Sequence, residues 1–194
     1  IVNGLDYNEW NPETDAQIAK NFNVKNFRKE KVKNKLALQE ELGLEVNPKT
    51  MMIGIVSRLT DQKGFDLVAY VMDELCQDAV QIVALGTGEE QYENMFRHFA
   101  WKYPGKVSAN IYYSEAMSHK IYASCDAFLM PSLFEPCGLS QLMSMRYGTV
   151  PMVRETGGLR DTVCPYNEYE QTGNGFSFAC LLYTSPSPRD RSLS

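Results

Sequence analysis

The sequence lacks the features of a membrane or secreted protein. Its 194 residues contain no apolar run of about 18 residues, the length that a membrane-spanning helix needs. The first residues, IVNGLDYNEW, lack the basic and then apolar pattern that is typical of a signal peptide. We therefore expect neither a membrane span nor a secretion signal.

Histidine is also scarce, and the Asp-x-Asp pattern is absent. Only His98 and His119 are present, which argues against a histidine-based metal site. No Asp-x-Asp pair occurs that would hold Mg²⁺ against a diphosphate. The sequence therefore predicts a protein that needs no metal ion and no tightly bound cofactor.

Charge and cysteine content narrow the class of protein further. The net charge is −5 and no basic stripe is concentrated in the chain, which argues against a nucleic-acid partner. The five cysteines form no Cys-x-x-Cys pair and are odd in number, which fits a reducing compartment better than a disulfide framework. The apolar share of 44% and the charged share of 22% are typical of a globular domain.

Strand and helix patterns alternate from Met51 onward. The predicted strands are 51–59, 80–86, 106–113, 126–132 and 149–153, and the predicted helices cover 65–75, 88–101, 118–124 and 139–147. Because parallel neighbouring strands need crossover connections, this alternation predicts an α/β fold with a doubly wound parallel sheet.

The two ends of the chain do not follow this rhythm. Residues 1–50 contain turn signals at Asn3-Gly4 and Asn11-Pro12 and then a charged helical stretch over 28–42. We interpret them as an interdomain connection and helical lead-in to a domain over 51–178. Residues 179–194, which include CLLYTSPSPRDRSLS, are rich in Ser, Pro and Arg, and we expect them to be disordered or foreign to the fold.

Residues with chemical potential gather where the predicted strands end. Arg58 and Lys63 follow the first strand, Gly86-Thr87-Gly88 the second, LFEPCGL (133–139) with its Glu135 the fourth, and RETGGL (154–159) the fifth. Ligands of open parallel sheets bind beyond the carboxyl ends of the strands. We therefore expect two cations, glycine-rich turns and a carboxylate to share one rim.

This set of residues favours a nucleotide diphosphate compound as the ligand. An arginine fork binds phosphate oxygens in pairs, a lysine adds a point charge, and together they can replace a metal beside a diphosphate. Glycine turns and helix N-termini bring backbone N–H groups to the same oxygens. The first loop, RLTDQKG, lacks both the Gly-x-Gly-x-x-Gly of NAD enzymes and the P-loop pattern, which argues against those two classes.

Five stretches, taken together and in this order, resemble one family. NGLDYNEWNP, VSRLTDQKG, LGTGEE, LFEPCGLSQL and YGTVPMVRETGGLRDTV resemble the C-terminal catalytic domain of bacterial glycogen synthases and plant-type starch synthases, and the resemblance covers about residues 1–178. It implies a GT-B glycosyltransferase, in which two Rossmann-like domains face a cleft, with 51–178 as the nucleotide-sugar-binding domain. It also implies a retaining enzyme, in the cytoplasm or a plastid, that transfers glucose from ADP-glucose to the 4-OH end of an α-1,4-glucan.

The resemblance implies a role for each matching residue. Arg58 and Lys63 match a clamp on the diphosphate, and Glu135 matches the acid that meets the donor sugar. Cys137, Gly138 and Leu139 match positions whose backbone amides meet sugar and phosphate. Thr156, Gly157 and Gly158 match a loop that touches the phosphates. Tyr113 matches an aromatic residue that stacks on the adenine. Two structural alternatives stay open, with Cys137 as a small buried residue and Tyr113 as strand-end packing.

One departure from the wider GT-B group bears on the donor. Many transferases of this fold carry a second glutamate eight residues after the first, but Met143 stands at that position here. This favours the glycogen and starch synthases over enzymes with UDP- or GDP-linked donors. A UDP- or GDP-sugar transferase and a non-catalytic nucleotide-binding module stay open as alternatives.

The resemblance also predicts that the chain is a fragment of the enzyme. The family's N-terminal domain, which binds the glucan acceptor, is absent, and the match stops after Phe178. Because catalysis by orientation needs both reactants held together, we expect this chain to bind ADP weakly and to transfer little or no glucose by itself.

Overall fold

Strands and helices alternate through residues 4–179, the part of the chain that the structure, a computed structural model, describes. The strands are β1 (Met51–Val56), β2 (Val80–Leu85), β3 (Val107–Asn110), β4 (Ala127–Met130), β5 (Val150–Arg154) and β6 (Phe176–Phe178). The helices are α1 (Phe27–Glu41), α2 (Phe65–Leu75), α3 (Glu90–Lys102), α4 (Glu115–Ser124), α5 (Ser140–Arg146) and α6 (Gly157–Thr162). A 3₁₀ turn, Asp61–Lys63, precedes α2. Within the described residues no helix has the length and apolar character needed to cross a membrane.

The strands form one six-stranded sheet in the order β3-β2-β1-β4-β5-β6, and every neighbouring pair is parallel. Helices cover both faces of this sheet, so the predicted doubly wound α/β fold is confirmed. The chain adds β2 and β3 on one side of β1 and then returns to place β4 on the other side. The direction of winding therefore reverses between β1 and β4, and a crevice opens at the carboxyl ends of these two strands.

Strand β2 shows why the central strands are apolar on both faces. Ile82 and Ala84 belong to a core that also holds residues of α2 and α3. Val83 and Leu85 point the opposite way and belong to a second core with residues of α1 and α4. Because alternate residues of a strand face opposite sides, a strand between two helical layers has few positions for polar side chains.

The sequence placed the ends of the first and third strands three residues too far along the chain, and the end of the fourth, predicted at residue 132, lies at Met130. Strand β1 ends at Val56, not at residue 59, because the chain leaves the sheet there and Leu59 forms an isolated bridge with Gly88. Strand β3 ends at Asn110, so Tyr113 lies in the following loop and not in a strand. The three-residue strand β6 was not predicted, since so short a segment carries no readable period.

The segment before β1 packs onto the sheet domain. Trp10, Ile18 and Phe22 are buried in a third core, which they share with residues of α4, β4, β5 and α6. The predicted boundary at residue 50 stays a prediction, but these contacts make residues 4–50 part of the same packed body as the sheet. Of the predicted C-terminal tail only Ala179 is described; residues 180–194 lie outside the described residues.

Candidate active site

A cavity of about 190 Å³ lies in the crevice between the ends of β1 and β4. Arg58 and Lys63 reach it from the loop after β1, and Glu135 reaches it from the loop after β4. Gly138 and Leu139 complete the rim beside them. The two predicted cations and the predicted carboxylate therefore lie in one pocket, although the cations follow β1 and the carboxylate follows β4.

Lys63 and Glu135 form an ion pair inside this cavity. The Lys63 Nζ lies 2.5 Å from the Glu135 Oε2, and the side chains are 23% and 14% exposed. The Ser132 hydroxyl donates a longer hydrogen bond of 3.4 Å to the same oxygen. Both side chains are thus partly shielded from water, and each charge gains from the other as a partner.

Arg58 contributes a charge that no described residue neutralises. Its side chain is exposed, and its guanidinium forms no hydrogen bond and no ion pair with any residue in the range 4–179. It also borders a second pocket, so its fork stands where the two cavities meet. An unpaired guanidinium in this position is available to an anionic ligand.

The second pocket is aromatic and has a volume of about 340 Å³. Its walls include Trp10, Tyr112 and Tyr113, and it runs along the turn that holds Gly86 and Thr87. Tyr113 is 86% exposed, so its ring is not used for packing as the strand-end alternative requires. A flat aromatic or heteroaromatic group fits a wall of this kind, because it can stack on an exposed ring.

Local backbone geometry holds the 3₁₀ turn against the end of β4. Gly64 has a φ of 69°, which favours glycine, and a Cβ added there would collide with the Pro131 carbonyl. The Leu133 N–H donates to the Gln62 carbonyl over 2.8 Å. These contacts bring Lys63, on the turn, next to Glu135.

The turn that follows Glu135 is supported from below by Gln141. This side chain is fully buried, and its Nε2 donates to the carbonyls of Cys137 and Gly138 over 3.3 and 3.1 Å. The amides of Cys137, Gly138 and Leu139 donate to no other described residue. With the carbonyls held by Gln141, these N–H groups are left for an external acceptor, and their contact with sugar and phosphate stays a prediction. Cys137 is exposed, so the alternative of a small buried residue is wrong.

Thr156, Gly157 and Gly158 lie behind the Glu135 turn and do not line the cavity. The Gly158 N–H donates to the Glu135 carbonyl over 3.0 Å, and the Thr156 hydroxyl donates to the Leu133 carbonyl over 3.3 Å. A Cβ on Gly157 or Gly158 would collide with the carbonyls of Glu135 or Cys137. The two glycines therefore let two loops touch, and contact with phosphate stays a prediction for all three residues.

A buried polar cluster lies behind the aromatic pocket. The Asp15 Oδ2 is 2.7 Å from the His119 Nδ1 and accepts a 2.5 Å hydrogen bond from the Tyr147 hydroxyl. The Trp10 ring stacks on the His119 ring with 4.0 Å between their centres. Burial, together with the Asp15 carboxylate, raises the pKa of Tyr147 above its ordinary value, so the phenol stays protonated and keeps donating.

Sequence reasoning missed several residues that shape the site. Ser132 and Gln141 gave no signal because a single hydroxyl or amide has no motif around it. Trp10 lies inside NGLDYNEWNP, which marked the family but suggested no wall of a pocket. Within residues 4–179 no group of three or more His, Cys, Asp or Glu side chains is arranged to hold a metal ion.

The fold and the site together define the class of protein. A parallel sheet with its pocket at the switch point, where charged and aromatic walls adjoin, is the Rossmann-like domain of a GT-B glycosyltransferase. The family described as glycosyl transferases group 1 matches residues 39–180, and the chain belongs to this family.

Known proteins similar to this chain narrow the family further. The chain is 75% identical over 179 residues to glycogen synthase of Lachnospira eligens and 67% identical over 178 residues to that of Lachnoclostridium phytofermentans. Each match covers 92% of this chain but 37% of the relative, so the chain spans a little over a third of their length. The matched part is the C-terminal domain.

A solved structure has a closely similar fold. The catalytic domain of starch synthase IV from Arabidopsis thaliana, bound to ADP and acarbose, superposes with a TM-score of 0.84 at 37% identity. This match covers 93% of our chain and 38% of the other. The predicted resemblance to glycogen and starch synthases is thereby confirmed.

Proposed function

We propose that this chain is the donor-binding domain of a glycogen synthase, which transfers glucose from ADP-glucose to the non-reducing 4-OH end of an α-1,4-glucan. The observation that carries the proposal is the convergence of Arg58, Lys63 and Glu135 on one cavity beside an aromatic pocket. A nucleotide sugar consists of a base, a diphosphate and a sugar in sequence. The aromatic pocket, the region around Arg58 and the cavity beside Glu135 offer matching surfaces in the same order.

The diphosphate is assigned to the region between the pockets. Arg58 borders both cavities, and Lys63 lies in the first, so a diphosphate there meets two cations. These cations stabilise the negative charge that builds on ADP as the bond to glucose breaks. Donors placed at developing charge are often the largest single contribution to catalysis, and losing one costs roughly 10²–10³ in rate. Two permanent cations provide this neutralisation without a metal ion.

The glucose is assigned to the cavity beside Glu135. There the carboxylate accepts hydrogen bonds from sugar hydroxyls and favours the positive charge that develops at the anomeric carbon. The unpartnered amides of Cys137, Gly138 and Leu139 are available to donate to ligand oxygens at the same place. The adenine is assigned to the aromatic pocket, where it stacks on Tyr113.

Retention is proposed to occur on one face of the sugar. The bond from the anomeric carbon to the phosphate oxygen breaks, the acceptor 4-OH oxygen forms a bond from the same side, and the departing phosphate oxygen takes the hydroxyl proton. No second carboxylate lines the charged cavity among the described residues. A covalent glucosyl adduct trapped on Glu135 would overturn this route.

Calorimetric titration tests the choice of donor. The chain is expected to bind ADP weakly, and to bind ADP at least roughly tenfold tighter than UDP, which corresponds to about 1.4 kcal/mol. Equal affinity for both nucleotides, or a preference for UDP, would contradict ADP-glucose as the donor. Absence of binding to any nucleotide would contradict the donor site altogether.

A turnover assay tests whether the domain works alone. With ADP-[¹⁴C]glucose and glycogen, we expect little or no transfer, because the chain matches only 37% of its relatives' length and the acceptor must also be held in place. Transfer at the rate of a complete synthase would show that the acceptor site lies within this chain.

A further inference from the structure

The backbone of Leu133 joins three loops of the candidate site. Its N–H donates to the Gln62 carbonyl on the turn that carries Lys63. Its carbonyl accepts from the Arg154 Nη1 over 3.1 Å and from the Thr156 hydroxyl over 3.3 Å. Leu133 lies two residues before Glu135, so whatever fixes this carbonyl also limits where the carboxylate can stand.

Arg154 makes few contacts for a charged side chain with a buried nitrogen. Its Nε is inaccessible to water and has no hydrogen-bond partner among the described residues. The guanidinium forms no ion pair with a described carboxylate, and the two nearest along the site loops have other partners, Lys63 for Glu135 and Ser177 for Glu155. Burying a polar group without partners is unfavourable, so its bond to Leu133 is a contact that the domain maintains at a cost in stability.

We propose that Arg154 is a positioning residue of the donor site, one that fixes the Leu133 carbonyl and thereby places the Glu135 carboxylate against the donor sugar. The expected effect on donor binding rests on the proposed function, whereas the contacts of Arg154 belong to the ligand-free chain. Arg154 extends from the end of β5, a rigid strand paired with β4 and β6, so it transmits the position of the sheet to the loop. Gly158 adds a second link, since its N–H holds the Glu135 carbonyl.

Hydrogen exchange of the ligand-free chain tests the structural part. In Arg154→Met we expect exchange to become roughly tenfold faster at the amides of Leu133 and Gly158, because a hydrogen bond from a charged group is lost beside both. Exchange at Ile82, whose N–H donates to the Lys106 carbonyl in the sheet, should stay unchanged and so shows that the fold is intact.

Two further variants keep the exchange test decisive. Arg160→Met removes a cation of the same type that is exposed on α6, and it should leave exchange at Leu133 and Gly158 as in the parent chain. Arg154→Gln removes the charge and shortens the side chain, and it serves if the methionine variant does not fold. Unchanged exchange at both amides in whichever Arg154 variant folds would overturn the proposal.

Binding of ADP and ADP-glucose tests the consequence. Because the loop is assigned to the sugar, Arg154→Met should weaken ADP-glucose roughly tenfold and ADP by less than about twofold. In a chain that already carries Glu135→Gln, adding Arg154→Met should weaken ADP-glucose no further. Equal weakening of both ligands would overturn the positioning role, whereas a parent chain that binds neither ligand would overturn the proposed function and leave the exchange result to decide the role of Arg154.

Discussion

Two groups of polar residues in this domain differ in how completely the protein satisfies them. Behind the aromatic pocket, His119 and Tyr147 both contact the Asp15 carboxylate, and all three side chains are buried. In the cleft, Lys63 and Glu135 share one partly exposed ion pair, while Arg58 pairs with no described residue. The first group is paired within the fold, whereas the second includes a guanidinium that pairs with no described residue.

The difference teaches which polar residues to assign to function. A buried group that is fully paired stabilises one conformation and is costly to disturb. A charged group at an open rim with partners to spare does little for stability but can bind an anion. Substitutions in the two groups should therefore separate stability from ligand binding, and each expected result below checks that separation.

Asp15→Asn should have the largest effect on stability. It replaces the buried carboxylate that His119 and Tyr147 both contact, and hydrogen bonds to a charged group contribute about 1.5–3 kcal/mol each. Urea unfolding measures the free energy of unfolding. Asp161→Asn, at an exposed position on α6, is the matched control and should stay within about 0.5 kcal/mol of the parent chain. Equal free energies of unfolding for Asp15→Asn and Asp161→Asn would contradict a stabilising role for this cluster.

Lys31, whose Nζ donates to the Tyr147 carbonyl, allows a test of this buried region through pH. Its Nζ lies within 3.2 Å of four acceptors, the carbonyls of Tyr122, Ala123 and Tyr147 at the ends of α4 and α5 and the Thr149 hydroxyl, and its three N–H groups are shared among them. Burial lowers the pKa of Lys31 from 10.5 to about 8. Between these two values the unfolded chain holds a proton that the folded chain has lost, so the contribution of this group to stability rises as pH increases.

The measurement compares the parent chain with Lys31→Met from pH 8 to pH 10. The free energy of unfolding of the parent should increase relative to the variant by up to about 2–3 kcal/mol, since one pKa unit corresponds to about 1.4 kcal/mol. Burial raises the pKa of Cys125 to about 12, but this thiol is common to both chains and its titration cancels in the comparison. A difference that stays constant or falls with pH would contradict the lowered pKa.

Lys63→Met should have the opposite profile to Asp15→Asn. A charge-assisted hydrogen bond to phosphate contributes about 1.5–3 kcal/mol, so calorimetry should show ADP binding weakened roughly ten- to hundredfold. Unfolding free energy should change by less than about 1 kcal/mol, because the ion pair is partly exposed. Lys102→Met, which breaks a surface pair with Asp73, is the control and should leave ADP affinity unchanged.

Tyr113→Ala should have the smallest effect. Stacking of a base on an aromatic ring contributes about 1 kcal/mol at the low end of its range, so ADP affinity should fall roughly fivefold without a change in stability. Tyr169→Ala removes a ring that is 91% exposed on the segment between α6 and β6, and it should bind ADP like the parent. Equal affinities for the two variants would remove Tyr113 from the proposed adenine site.

The sequence predicted the elements well because each carries its own period. The five predicted strands and four predicted helices from Met51 onward are present, although some of their ends differ and β6 was not predicted. They could be predicted because buried strands and amphipathic helices repeat their apolar residues at fixed steps. Their order in the sheet, with β4 beside β1, does not follow from any local pattern, and this order is what brings Lys63 and Glu135 together.

The supports of the site were beyond the reach of the sequence. Arg154 was visible in RETGGL, but its bond to Leu133 joins the end of β5 to a loop residue 21 positions earlier in the chain. The Asp15 and His119 pair spans 104 residues. Such contacts depend on three-dimensional packing, and neither spacing nor residue type predicts them.

Titration of the ¹⁵N-labelled chain with ADP tests the central claim most directly. If the crevice between β1 and β4 holds the diphosphate, the largest amide shifts will lie in residues 58–64 and 135–139, while Asp15 and His119 behind the pocket will move little. Shifts centred on the segment between α6 and β6, or none at saturating ADP, would contradict it.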